Sequence, residues 1–257
     1  MQLSELSDDF IKSGSFANTI HFMRQTAFHK WGFCIYRASQ SDDDLFQRYL
    51  AAFDTQVREY LVQQHRDEVL EQFAEWTIMD TIGGQGSSTS TDSENVPREP
   101  SKAEIRRRFV EWRDQHQVRR EESALPLPDD ASSRLPRFTY CLYIDQKCLD
   151  SLEPHLKGKA AYDQPGSRSA AHPPPLVAVL IDGDFQTLSD VAGGGGARPR
   201  RSFSPVEGGD GRYVGWEYCN VRYLPAMYDE LHLVSMSSPL DYARPPAIAP
   251  GGFEFVA

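Results

Sequence analysis

Apolar side chains near the N-terminus recur first at the spacing of a helix and then at that of a strand. Phe16, Ile20 and Met23 share one helical face, and Ser15 before them can cap a helix. In the segment 31–38 both sets of alternating positions are largely apolar. We therefore predict a helix over 16–27, followed by a strand with two apolar faces, as in the interior of a sheet.

An acidic cluster follows this strand and predicts the start of a long helix. Ser41 is the predicted cap, and Asp42, Asp43 and Asp44 place negative charge at the positive end of the helix dipole. Apolar residues at helical spacing continue from Leu45 to Leu61. The pattern therefore predicts a helix of about five turns.

The rest of the chain contains further segments of both kinds. In order, the patterns predict a helical turn at 69–73, a strand at 76–79, a helix from the capping box Ser101–Glu104 to about 122, a strand at 137–145, a short helix at 148–152, strands at 176–181 and 213–224, a helix at 225–234 and an edge strand at 253–255. This order predicts an α+β fold with a mainly antiparallel sheet, helices packed on one face and a ferredoxin-like C-terminal part.

Two segments poor in apolar residues divide this pattern. Residues 81–100 are rich in Gly, Ser, Thr and Asp, and residues 189–211 contain a run of glycines followed by a basic cluster. We therefore predict an N-terminal part at 1–80, a flexible linker at 81–100 and a C-terminal part at 101–257 with a disordered insert at 189–211. The two parts are expected to form one compact domain.

The composition narrows the class of protein. The 257-residue chain has a net charge of −10, which repels nucleic acid and anionic lipid. No apolar run approaches the roughly 18 residues of a membrane-spanning helix. The four cysteines lie far apart, and three of them lie within apolar runs, as is typical of buried free thiols. We expect a cytoplasmic protein that binds an unidentified protein or small molecule, and neither membranes nor nucleic acids.

Several motifs of catalysis and cofactor binding are missing from the sequence. The glycine-rich segments 83–88 and 193–196 lack the lysine of a phosphate-binding loop, and no Gly-x-Ser-x-Gly pentapeptide occurs. No His or Cys pair has the spacing of a zinc site. A Cys–His catalytic pair stays open, although cysteines within apolar strands favour a buried structural role. The prediction is that the protein has no cofactor.

We predict no metal site, but carboxylates at the ends of two predicted strands give one alternative. Asp145 ends one strand, and Asp182 and Asp184 follow the other. If both strands run in the same direction, as a ferredoxin-like sheet implies, the three carboxylates meet at one edge and could bind Mg²⁺. The other interpretation is that Asp182–Asp184 is a turn, in which Asp and Gly are common.

Short motifs distributed along the chain resemble those of one protein family. They are Trp31–Arg37 with Asp42 and Asp43, Ser101–Glu104 leading into Arg106–Phe109 and Trp112, Phe138–Cys141, Val214–Trp216 and Arg244–Pro246. This set resembles a large family of filamentous ascomycete fungi whose members have no settled activity. The resemblance implies an intracellular fungal protein and brings no catalytic residue with it.

Two functions are consistent with these patterns. The first is a non-catalytic intracellular binding or interaction protein, because no catalytic motif is complete. The alternative is an enzyme of fungal specialised metabolism that acts on a small molecule or on an activated acyl or aminoacyl group. Its predicted catalytic residues are Tyr36, Arg37, Asp42 and Asp43. Arg37 would bind a carboxylate or phosphate, and the aspartates would hold a cationic group or act as a base.

Overall fold

A computed structural model of the chain describes residues 3–12, 14–26, 28–37, 42–80, 99–121, 135–164, 172–186, 203–207, 211–238, 242–249 and 253–254. Its helices are α1 (Asp8–Lys12), α2 (Ala17–Thr26), α3 (Asp43–Gln63), α4 (Asp67–Leu70), α5 (Lys102–Glu121), α6 (Pro136–Thr139), α7 (Gln146–Asp150), α8 (Leu152–Tyr162) and α9 (Leu224–Glu230). Its strands are β1 (Cys34–Arg37), β2 (Thr77–Asp80), β3 (Tyr140–Ile144), β4 (Val177–Asp182), β5 (Trp216–Asn220), β6 (Ala247–Ala249) and β7 (Phe253–Glu254).

The strands form one sheet of seven in the order β2-β1-β3-β4-β5-β6-β7. The pairs β1–β2, β1–β3 and β5–β6 are parallel, whereas β3–β4, β4–β5 and β6–β7 are antiparallel. The α+β class is confirmed, but the prediction of a mainly antiparallel sheet is wrong. The parallel pairs form because helical crossovers, such as the one through α3 between β1 and β2, return the chain to the same end of the sheet.

The ferredoxin-like arrangement predicted for the C-terminal part is not confirmed. A ferredoxin-like unit is a split β-α-β, in which another strand lies between two strands that a helix connects. Here α7 and α8 connect β3 to β4, which are direct neighbours and antiparallel. The C-terminal strands instead follow one another across the sheet in chain order.

Helices lie on both faces of the sheet, which corrects the prediction of a single helical face. On one face, the ring of Phe53 from α3 contacts Trp76, which in turn lies near Phe33 just before β1. On the other face, Lys102 of α5 lies over the ring of Tyr143. Tyr143 is the register partner of Tyr36, whose side chain points away from the face of Phe33.

A large apolar cluster connects the N-terminal and C-terminal parts. Every residue of β1, β3 and β4 is buried, and one continuous core contains side chains from these strands and from α3, α5 and α9. The segment 31–37 is therefore an inner part of the sheet, as its two apolar faces predict. Since β1 lies between β2 and β3, the strands of both parts share the same core.

Two arginines, Arg106 of α5 and Arg137 of α6, are buried. Arg106 donates from Nε to the carbonyl of Asp182 at 2.8 Å and from a terminal nitrogen to that of Gly215 at 3.1 Å. Arg137 donates to the carbonyl and side chain of Glu75, each at 2.7 Å. Both guanidinium groups thus replace water with chain oxygens at the ends of strands.

Several predicted boundaries differ from those of the structure. Asp42 caps α3 in place of Ser41, since its carboxylate accepts a hydrogen bond from the Leu45 amide at 3.0 Å. Residues 153–162, where no helix is predicted, belong to α8, because its Pro154 lies in the first turn, where proline is tolerated.

The predicted linker and insert lie mostly outside the described residues. Within the insert, the structure describes residues 203–207 and 211. Glu207 in this stretch accepts a hydrogen bond from the Lys102 amide at 2.7 Å, so residues 203–207 contact the start of α5. Among the described residues, no helix has the length and apolar character needed to cross a bilayer.

Candidate binding groove

A groove of about 840 Å³ lies beside α3, α8 and the chain that follows β5, and we call it the α3–α8 groove. Its walls come from the second half of α3, from α8, from the proline run before β4 and from the 3₁₀ turn after β5. The lining residues are Gln56, Arg58, Glu59, Val62, Gln63, His155, Lys159, Tyr162, Asp163, His172, Pro173, Pro174, Pro175, Asn220, Arg222 and Tyr223.

Close packing of α8 on the proline run sets one wall of the groove. Gly158 lies against Pro173 and Pro174, and a Cβ atom on it would come within 2.6 Å of Cδ of Pro174. Glycine is therefore needed at this turn of the helix. Because proline fixes its own φ angle, the wall is built from chain with little freedom to move.

His155 lies at the floor of the groove and is almost completely buried. Its Nδ1 is 2.7 Å from the carbonyl oxygen of Pro174. A carbonyl oxygen only accepts hydrogen bonds, so Nδ1 carries the proton and Nε2 is left as an acceptor. The ring is thus held in one tautomer by its neighbour.

The surroundings of His155 keep its imidazole neutral. Burial lowers the pKa of His155 and outweighs the raising effect of the hydrogen bond to Pro174. The positive charges of Lys159 and Arg222 also lower this pKa, while Glu59 raises it. A neutral imidazole with Nε2 unprotonated can accept a hydrogen bond or act as a base.

Two of the three basic side chains in the groove are neutralised by carboxylates. Lys159 lies 2.8 Å from Glu59 and 3.6 Å from Asp163. Arg58 lies 2.7 Å from Glu71 and 3.3 Å from Asp54. Of these pairs, Lys159–Glu59 connects α8 to α3 across the groove.

Arg222 is the third basic residue and has a different partner. Its guanidinium donates to the side-chain oxygen of Gln63 at 2.6 Å, and its backbone amide donates to the side chain of Asn220 at 3.1 Å. Among the described residues, no carboxylate forms an ion pair with it. The guanidinium therefore lies in the groove with its positive charge uncompensated by a neighbouring acid.

Two large apolar side chains of the groove are exposed to solvent. Tyr162 is 45% exposed and its ring stacks on His172 at 5.6 Å between centroids, while Val62 of α3 is 49% exposed. Exposed aromatic surface next to a few polar groups is typical of sites that bind organic ligands.

The residues predicted as catalytic are only partly brought together. Arg37 is buried and forms an ion pair with Asp43, which is itself exposed, and its guanidinium lies 4.8 Å from the ring centre of Phe46. Asp42 uses its carboxylate as the cap of α3. The pair Arg37–Asp43 thus lies at the start of α3, as expected from the chain.

Tyr36 lies apart from these residues. It points to the opposite face of the sheet from Arg37, because successive side chains of a strand alternate. Its hydroxyl is buried with no hydrogen-bond partner among the described residues, and burial raises its pKa. None of the four predicted residues lines the α3–α8 groove, and their catalytic role stays a prediction.

The alternative metal site of Asp145, Asp182 and Asp184 is not formed. In the antiparallel pair β3–β4, Tyr140 is the register partner of Asp182, so Asp145 lies at the other end of the sheet. The requirement that both strands run in the same direction is therefore not met. Among the described residues, no group of three potential ligands has the geometry to hold a metal ion.

Each of these aspartates instead has a partner within the protein. Asp145 caps α7 at 3.0 Å and accepts a hydrogen bond from Tyr218 at 3.1 Å. Asp182 accepts hydrogen bonds from Tyr213 and from the backbone of Asp184. Burial nevertheless raises the pKa of Asp182, and those hydrogen bonds partly offset the effect.

The four cysteines are buried free thiols, as predicted from their apolar surroundings. Burial raises the pKa of Cys34 to about 12. It also raises the pKa of Cys141, Cys148 and Cys219 well above the usual value. Since the thiolate is the nucleophile, none of the four is suited to attack a substrate at neutral pH.

A second concave surface of about 440 Å³ lies over β5, with Trp216 and Tyr218 at its floor. Its central cation, Lys102, lies 3.5 Å from Asp145, 3.2 Å from Glu207 and 4.9 Å from the ring centre of Trp216. The chain thus supplies both the cation and the acids of this surface. Its polar groups bind one another and hold residues 203–207 on α5.

The sequence patterns did not identify the groove. His155, Lys159 and Tyr162 lie in the segment 153–162, for which no helix is predicted, and Arg222 lies at the end of a predicted strand. One usable signal was present: His155, Leu156 and Lys157 follow Pro154 without a further helix breaker until Gly158. A helix there would have placed His155 and Lys159 on one face.

Comparison of the chain with protein-family models, with curated proteins and with solved structures gives no match.

Proposed function

We propose that this chain is a non-catalytic binding protein of the cytoplasm that takes a small organic ligand in the α3–α8 groove. The observation that carries the proposal is the groove itself, in which exposed Tyr162 and Val62 lie beside the buried acceptor His155 and the cation Arg222. The fungal origin implied by the motifs is part of the same proposal.

The size and chemistry of the groove support a small ligand. Ligand sites in proteins commonly enclose about 300–1,000 Å³, with apolar walls and a few polar groups that orient the ligand. The groove of about 840 Å³ falls within this range. The buried state of the cysteines supports a role in binding, because it removes the most nucleophilic side chains from chemistry.

One observation favours the alternative of an enzyme of specialised metabolism. His155 is neutral, fixed in one tautomer by Pro174 and placed at the floor of the groove, which is how a general base is held. An enzyme that acts on a small molecule or an activated acyl or aminoacyl group would use such a base. Metabolite profiles of a fungal host that expresses the wild-type chain, Arg37→Ala or His155→Gln test this alternative; a new compound that both variants abolish supports it.

The binding function is tested with a collection of small organic fragments and ligand-observed NMR. Val62→Arg places a long charged side chain into the groove from an exposed helical position, so folding is expected to be retained. We expect fragments that bind the wild-type protein to lose their signal with this variant. The matched control is Leu233→Arg, because Leu233 is 68% exposed and lies outside the groove.

The outcome is decided by which variant abolishes binding. Fragments that bind the wild type and Leu233→Arg but not Val62→Arg support the groove as the site. If fragments bind all three proteins equally, the groove is not the binding site and the proposal is wrong.

A further inference from the structure

The basic residues of the α3–α8 groove differ in whether a carboxylate of the protein neutralises them. Lys159 and Arg58 each contact two carboxylates of the protein, whereas the guanidinium of Arg222 contacts the neutral amide of Gln63. The whole chain has a net charge of −10, so acids are abundant. In such a chain, an arginine with no acid partner among the described residues marks a place where an anion can bind.

The position of Arg222 is fixed by its neighbours. It belongs to the 3₁₀ turn Val221–Tyr223, and the side chain of Asn220 caps this turn by accepting a hydrogen bond from the Arg222 amide at 3.1 Å. Gln63, at the end of α3, holds one terminal nitrogen of the guanidinium at 2.6 Å. Because a guanidinium has five N–H donors in a rigid fork, further donors are available for an oxyanion.

The acids of the groove limit the charge of an anion that binds Arg222. Glu59 and Asp163 line the same groove and carry two negative charges, of which the ammonium of Lys159 offsets one. A carboxylate on Arg222 adds a single negative charge near these acids. A phosphate monoester, with up to two negative charges, would add repulsion from both acids.

Next to this charge the groove offers apolar surface. Tyr162, which is stacked on His172, and Val62 are exposed apolar side chains of the lining. A ligand that uses both features has an anionic end and an apolar or aromatic body.

We propose that the α3–α8 groove binds an organic monocarboxylic acid, with Arg222 holding the carboxylate and with Tyr162 and Val62 contacting an aromatic or apolar body. This inference rests on the proposed binding function and adds the chemical class of the ligand. It assigns the ligand carboxylate to Arg222 and not to Arg58. Arg58 lines the same groove but already forms ion pairs with Glu71 and Asp54.

The test compares three probes with one body and different charge: 2-naphthoate, 2-naphthamide and 2-naphthyl phosphate. Their dissociation constants are measured by calorimetry or NMR titration for the wild type, Arg222→Gln, Arg222→Lys and the control Arg58→Gln. We expect naphthoate to bind the wild type more tightly than the amide and the phosphate. Its affinity should fall about tenfold to a hundredfold in Arg222→Gln, the usual effect of losing a charge-assisted hydrogen bond.

The other variants show whether a loss of affinity comes from the missing charge of Arg222, from the missing geometry of its guanidinium or from a change in the fold. Arg222→Lys keeps the positive charge without the fork and should retain part of the affinity. Arg58→Gln should bind naphthoate within about twofold of the wild type, the size of a weak screened interaction. The two-dimensional amide NMR spectrum of each variant shows whether it is folded before binding is measured.

The results separate this inference from the proposed function. If the probes lose binding with Val62→Arg but bind Arg222→Gln as they bind the wild type, the carboxylate inference is wrong and the binding function stands. Equal affinity for naphthoate and naphthamide overturns the inference in the same way. No binding of naphthoate at millimolar concentration also overturns it. If the probes bind Val62→Arg as tightly as the wild type, the groove is not the binding site, and both the inference and the proposed function are wrong.

Discussion

Two tyrosine hydroxyls on neighbouring strands differ in their hydrogen bonding, although both side chains are buried. Tyr36 and Tyr143 are register partners on β1 and β3, and both are buried. The hydroxyl of Tyr143 donates to the carbonyl of Pro100 at 2.7 Å, whereas that of Tyr36 has no hydrogen-bond partner among the described residues. The tyrosine hydroxyl is thus hydrogen-bonded at position 143, whereas at position 36 its burial without a partner lowers the stability of the fold.

We predict opposite effects when each hydroxyl is removed. Tyr143→Phe should lower the free energy of unfolding by about 1 kcal/mol, since it leaves a carbonyl without its donor. Tyr36→Phe should leave that free energy unchanged or raise it by about 1 kcal/mol, since an unsatisfied group is removed. Urea denaturation of the two variants and the wild type measures the difference. A large loss of stability in Tyr36→Phe would show that this hydroxyl has a partner or a role.

A second prediction at this scale concerns pH. The folded pKa of His155 is lowered below the value of about 6.5 of a free histidine, mainly by burial. The unfolded chain therefore binds more protons between the two pKa values, and stability falls as the pH decreases through that window. The stabilisation due to this effect is complete above pH 6.5 and is lost in acid.

His155→Asn is the variant that tests it, because the amide nitrogen of Asn takes about the position of Nδ1 and can donate to the Pro174 carbonyl but does not titrate. The unfolding free energies of wild type and variant are compared in urea at pH 7 and pH 5. We expect the advantage of the wild type to shrink at pH 5. An advantage that is equal or larger at pH 5 would contradict the lowered pKa.

At the scale of elements, the start of α5 is fixed by residues distant in the chain. The Glu207 carboxylate accepts from the Lys102 amide at 2.7 Å and also contacts the Lys102 ammonium at 3.2 Å. The side chain of Ser101 accepts from the Glu104 amide at 3.2 Å, as the capping box predicts. One helix end thus combines a local cap with a distant one.

Glu207→Ala should destabilise the protein by about 1 kcal/mol, the usual effect of losing a helix cap. Glu207→Gln keeps an oxygen for the amide and loses only the charge of a partly exposed ion pair, so it should cost about 0.5 kcal/mol or less. Thermal and urea denaturation give both values. Equal losses in the two variants would mean that the charge, and not the cap, is what matters.

Local patterns predicted the helices with strong caps and regular apolar faces. Helices α3 and α5 and the strands β1, β3 and β4 lie near their predicted positions, because each has local spacing or capping that defines it. Helix α8 was missed since Pro154 and Gly158 interrupt its pattern, although Pro154 lies in the first turn and Gly158 packs on prolines. Because α8 was not predicted, the groove that it lines was not predicted either.

At the scale of the whole molecule, the order of strands makes the two parts of the chain depend on each other. β1 pairs with β3 over four register positions, from Cys34–Cys141 to Arg37–Ile144. Their side chains belong to one apolar core. Neither part can bury its side of the sheet without the other.

We therefore expect a chain cut once between residues 80 and 99 to stay together. A protease site is introduced there, the folded protein is treated with the protease until the chain is cut, and the product is analysed by size-exclusion chromatography, with the uncut chain as the reference. The two pieces should elute together at the volume of the uncut protein and separate only in denaturant. Elution as two species would show that each part folds on its own.

The sequence by itself determined the α+β class, the inner position of segment 31–37, the buried cysteines and the two longest helices. All of these follow from contacts between residues close in the chain or from the apolar character of a segment. Strand direction, the separation of Asp145 from Asp182 and the meeting of His155 with Arg222 depend on which distant segments pair. Only the tertiary structure decided them, because local patterns carry no information on the neighbours of a strand or on the burial of a charge.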